Sequence, residues 1–156
     1  MKSRAQISVE YLIIIGFIFA ILIPGTYLFY TNTLRQSDEA TSDVINKIGN
    51  EVVNSAKSMY FVGERSWVTL EVVFPETVVD YYILDATEFV VVYDTQEGRT
   101  ESVFFSDINM SGPINRSDFQ TDPPYTNSNI TTNPHPGLVN LRIESRGSWV
   151  YINQTA

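Results

Sequence analysis

Residues 3–30 read SRAQISVEYLIIIGFIFAILIPGTYLFY, and the reading of this stretch decides the fold. Lys2 and Arg4 open the chain, Glu10 stands at the threshold of the apolar run, and the next charged residue is Arg35. Tyr11 to Tyr30 has the length and composition to cross a ~30 Å hydrocarbon core as a single helix. The basic start favours a cytoplasmic N-terminus, and past the apolar run Arg35 faces three acids, Asp38, Glu39 and Asp43. This asymmetry predicts an N-in, C-out orientation. Pro24-Gly25 interrupts the run, and the proline, which has no N–H to donate, predicts a bend.

Beyond the span the helical pattern continues. Leu34, Ile45, Ile48, Val52, Ala56 and Met59 are apolar, and from Ile45 their spacing of 3, 4, 4 and 3 marks one face of a helix. Gly63 is the expected stop. A helix over 7–62 would be a rod of roughly 80 Å, far longer than a bilayer requires. From residue 66 the period changes to two. In SWVTLEVVF, Val68, Leu70, Val72 and Phe74 share one side. VVDYYIL, TEFVVVYD and RTESVFF follow, with breaks at PET, DA and TQEG, and later LVNLRIE and SWVYIN. In LVNLRIE, Val139, Leu141 and Ile143 oppose Leu138, Asn140 and Arg142. About six strands are expected, as an antiparallel meander or small sandwich on the outer half of the helix, making an α+β fold. Trp67, Trp149 and the strand tyrosines are assigned to core packing, with an exposed few left for contact with a surface or ligand. Residues 106–137, rich in Asn, Ser, Thr, Pro and Asp, are expected to form a long polar surface loop.

Composition narrows function. Ten Lys and Arg against 18 Asp and Glu give a net charge of −8, which disfavours a nucleic-acid partner. With no cysteine, disulfides, thiol catalysis and cysteine zinc sites are excluded. The apolar run is too long for an ordinary secretory signal, no A-x-A follows it, and the small residue Ala5 precedes it.

Lys2, Arg4 and Ala5, then Gln6, Ser8 and Glu10, then YLIIIGFIFAILI form a pattern that resembles the archaeal type IV-like pilins with class III signal peptides. Their leader is short and basic, ends in a small residue, and is followed by Q-x-S-x-E and an apolar helix. The family pattern often continues E-x-x-x-L, and Ile14 stands there instead. The resemblance covers about 25 residues. It implies a leader over 1–5, cleavage between Ala5 and Gln6 by a prepilin-type peptidase, a helix over 6–62 and a head over 63–156. It also implies assembly by a cytoplasmic ATPase and a membrane platform protein. The precursor would sit in the cytoplasmic membrane, and the assembled chain in a cell-surface filament. Archaellins share this architecture but usually open with a glycine-rich segment.

Cleavage would expose an ammonium on Gln6, four residues and one helical turn from Glu10. An unpaired carboxylate costs on the order of 2.5–3.5 kcal/mol at the membrane centre and less near its edge. The new ammonium, of the same or a neighbouring subunit, is a natural partner. Glu10 is thereby expected to set the register of an incoming subunit, and Gly16, Ala20 and Gly25 to allow close helix contacts.

Four N-x-S/T sequons, at Asn109, Asn115, Asn129 and Asn153, are candidates for N-glycosylation, and all lie in the expected external head. His135, the only histidine, lacks the company a zinc site needs. Asp107, Asp118 and Asp122 share the polar loop without EF-hand spacing. No metal, cofactor or catalytic motif is recognised. The expected function is structural: a pilin subunit that polymerises through its helix and displays the head for adhesion or surface contact. The alternatives are a single-span anchored extracellular binding module, or a minor rather than a major pilin.

Overall fold

The computed structural model describes residues 2–116 and 122–155, with side chains from Val9 onward. Helix α1 runs from Lys2 to Val62. The chain divides into two compact units, Met1–Glu39 and Ala40–Ala156. Within the second unit, the face of α1 read from its spacing is buried: Ile45, Ile48, Val52 and Ala56, joined by Val53. Burying each Ile or Val of this face contributes roughly 1.5–3 kcal/mol. Gly63 ends the helix with a positive φ of 114°. Its N–H bonds the Met59 carbonyl at 3.2 Å, and the Ser66 hydroxyl bonds the same carbonyl at 2.8 Å. The last turn is thus satisfied as the chain reverses.

Among the described residues nine strands follow: β1 (Trp67–Phe74), β2 (Val78–Leu84), β3 (Glu88–Thr95), β4 (Gly98–Phe105), β5 (Met110–Ser111), β6 (Ile114–Asn115), β7 (Ser128–Asn129), β8 (Gly137–Ser145) and β9 (Val150–Thr155). They form two sheets, ordered β1-β8-β9-β5 and β4-β3-β2-β7-β6. Every pairing is antiparallel except β5 with β9. The six long strands are those expected from period-two patterning. In β1 and β8 the buried sides are the ones the alternation marks, ending in Val72 and Phe74 on β1 and comprising Val139, Leu141 and Ile143 on β8. The inner faces of both sheets and the α1 face share one core. Phe74 of β1 stacks on Tyr81 of β2, with centroids 4.7 Å apart, which joins the sheets across that core.

Two expectations are corrected. Among its described residues, the polar stretch 106–137, expected as a surface loop, also carries the short strands β5, β6 and β7. Buried serines hold it down: Ser128 Oγ accepts from Gly112 N at 2.6 Å, and Ser111 Oγ accepts from Tyr125 N at 2.8 Å. At Gly112 the Asn129 carbonyl comes so close that a side chain would overlap it. The second correction concerns the tryptophans. Neither belongs to the core cluster, and Trp67 is 57% exposed.

Candidate functional site

The most exposed apolar surface of the chain lies on α1. From Val9 to Tyr30 its large side chains stand open, Phe29 at 75% and Leu12 at 71%. Its most apolar window has a mean hydropathy of 2.5 and is not buried at all. By length and composition the helix is able to cross a membrane. Hydroxyls in and just after this stretch are satisfied within the helix: Thr26 donates to the Leu22 carbonyl (2.8 Å), Thr31 to Leu28 (3.0 Å) and Thr33 to Phe29 (3.0 Å). Such back-bonding suits surroundings that supply no water. Around Pro24, the side chains of Phe19, Leu22, Ile23, Thr26, Tyr27 and Tyr30 frame a shallow concavity of about 540 Å³. A Cβ added at Gly16 or Gly25 would meet nothing within 4 Å, so packing inside the chain makes no demand for glycine at either position.

Glu10 is exposed on this helix. Ala5, Gln6 and Ser8 lie on the same helix, and their side chains fall outside the described residues. Helical geometry places position 6 one turn before Glu10.

The sequons occupy unlike settings. Asn109 is exposed between β4 and β5. Asn115, on β6, is half-buried, and residue 117 of its sequon lies outside the described residues. Asn129 is held between β2 and β6, with its Oδ1 buried and unpartnered. Asn153 sits on β9, opposite Arg142 of β8. Only Asn109 of the four combines exposure with a position outside a strand.

His135 serves a structural chain. Its Nδ1 lies 2.9 Å from the Pro136 carbonyl and its Nε2 lies 2.9 Å from Gln154 Nε2. Because the carbonyl can only accept, the proton sits on Nδ1, leaving Nε2 to accept from Gln154. Gln154 Oε1 in turn accepts from the Tyr81 hydroxyl at 2.5 Å. Burial pushes the Tyr81 phenol up to about 12, against a smaller opposing pull from a His135 backbone N–H. Asp107 pairs with Lys57 at 2.8 Å, and this hydrogen bond holds its carboxyl below the ordinary value. Asp122 is exposed, and Asp118 lies outside the described residues. Among the described residues no group of three or more His, Cys, Asp or Glu is placed to hold a metal ion.

Comparison with protein-family models, with curated proteins and with solved structures found no match.

Proposed function

We propose that this chain is a subunit of a surface filament of the archaeal type IV-like pilin kind. The observation that carries the reading is the helix from Val9 to Tyr30, whose apolar side chains find no cover in their own chain. Two environments can cover such a surface: lipid, and a bundle of like helices. A filament subunit uses both in turn. The precursor is held in the membrane, N-in and C-out; the peptidase cuts between Ala5 and Gln6; the ATPase and platform protein move the helix from lipid into the filament core. The β-rich head then faces outward for adhesion or surface contact.

Glu10 is the expected register device. In lipid its carboxylate is costly without a partner, and within a helix bundle the Gln6 ammonium supplies one. Glu10→Gln removes the charge and keeps the shape. The expected outcome is normal membrane insertion with few or shortened filaments in sheared preparations viewed by electron microscopy. Filaments of normal length and number from Glu10→Gln would remove Glu10 from the mechanism.

A further inference from the structure

Both tryptophans lie at one end of the sheet formed by β1, β8 and β9. Register places three residues in a row across its outer face: Trp67 is opposite Glu144, and Glu144 is opposite Tyr151. Arg142, one row along on β8, lies over the Trp67 ring at 4.7 Å, and Arg146 over the Tyr151 ring at 5.5 Å. Trp149 meets Tyr151 edge-on at 6.1 Å. Glu144 reaches both arginines, at 3.5 Å and 3.3 Å, and so sets where the guanidiniums stand. Cation–π pairing would be accounted for by sheet stability alone if it covered the rings. It does not: Trp67 stays 57% exposed, and the arginine side chains stay 42% and 49% exposed.

Charge singles out the same end. The head is acidic, yet three of the seven Lys and Arg beyond residue 39 gather here beside Glu144 and Glu64: Arg142, Arg146 and Arg65, whose backbone N–H bonds the Ser145 carbonyl. The surface therefore offers the open ring of Trp67, the half-buried ring of Tyr151 and guanidinium forks held beside them. Trp67 and Tyr151 stand two strand spacings apart, about 9–10 Å, a separation that suits alternate rings of a linear sugar chain. Ring faces of this kind stack on the apolar C–H faces of pyranoses, and arginine forks bind carboxylates through paired N–H donors.

We propose that the Trp67–Glu144–Tyr151 row, with Arg142 and Arg146, binds an anionic polysaccharide of the uronic-acid class. Pyranose faces lie on Trp67 and Tyr151, and the sugar carboxylates take the free N–H groups of the two arginines. The half-exposed arginine forks select this partner over a neutral glycan, and the Trp67 and Tyr151 rings select it over an acidic protein. The inference adds a ligand class to the filament reading and depends only on the head lying outside the cell.

The test uses the purified full chain in detergent, so its outcome does not depend on polymerisation. Asn153, in register with Arg142 on the same face, is replaced by Gln in every chain tested so that no sugar of the chain's own occupies the platform. Binding is measured to polygalacturonate and alginate, with dextran as the neutral control and polyglutamate as the anion without sugar rings. Binding to the polyuronates above both controls is expected. Trp67→Ala and Arg146→Gln should each weaken it about tenfold at an unchanged thermal midpoint, while Trp67→Phe, which keeps a ring, retains most of it. No binding to either polyuronate, equal binding to polyglutamate, or indifference to Trp67→Ala would overturn the proposal. Filaments without polyuronate binding would leave the filament reading standing and remove this one.

Discussion

At the residue scale, two glycines of α1 illustrate how identical letters carry different physics. At Gly16 an added Cβ meets nothing among the described residues, so packing within the chain sets no limit on size there. At Gly49 an added methyl would overlap the ring of Phe104, itself buried beside Phe89. Alanine normally gains about 1 kcal/mol over glycine inside a helix. Overpacking a filled core costs about 1–3 kcal/mol, and a ring wedged between α1 and β3 has little room to retreat. Gly49→Ala is therefore expected to destabilise the head by up to about 2 kcal/mol net, read as a lower urea midpoint at unchanged slope. A midpoint that rises would show that Phe104 can move aside and that the close approach is loose.

At the element scale, what the sequence disclosed was whatever depends on periodicity and on near neighbours. Steps of three and four from Ile45 marked the buried face of α1, Gly63 marked its end, and alternation marked the six long strands with their inward sides. Strand partners were not legible, because β1 pairs with β8 across most of the head and nothing local in either strand names the other. The anchoring of the described part of 106–137 was hidden for the same reason. Ser111 and Ser128 look like loop residues, and become anchors only when Tyr125 and Gly112 are brought to them by the fold. The exposure of Trp67 follows from the same alternation, which sets it with Thr69 and Glu71 on the face opposite Val68, Leu70, Val72 and Phe74. Of the candidate site, the apolar helix and Glu10 could be read directly, whereas the differing accessibility of the four sequons could not.

Between elements, the Tyr81–Gln154–His135 chain joins β2 to β9 and to the segment before β8, and its titration provides a pH test. The Tyr81 phenol ordinarily ionises near 10 and is pushed up to about 12 in the fold. Between those values the unfolded chain releases this proton while the folded chain keeps it. Stability is thus unaffected below pH 10 and falls as pH rises from 10 to 12, by about 1.4 kcal/mol per pH unit. Burial also raises Tyr82 and Tyr151, which steepens the decline. Tyr81→Phe should lower stability at neutral pH by about 0.5–1.5 kcal/mol, the worth of the lost hydrogen bond, and flatten the alkaline decline. Urea unfolding followed by tryptophan fluorescence across pH 9–12 compares the two chains. An unchanged alkaline slope in Tyr81→Phe would contradict the assignment.

At the scale of the whole molecule, one helix joins two kinds of surface. Residues 40–62 offer a stripe that the strands cover, and residues 9–30 offer an apolar surface that the chain leaves open. A soluble monomer would be penalised for such exposure, so the account requires a second environment and, for assembly, a charge to pair with Glu10. Both requirements meet at the bond between Ala5 and Gln6. The most direct measurement is the intact mass and N-terminal sequence of the chain recovered from sheared surface filaments. The account predicts that the native polypeptide begins at Gln6 and is found in polymer. Recovery of the chain beginning at Met1, dispersed singly in the membrane, would contradict it.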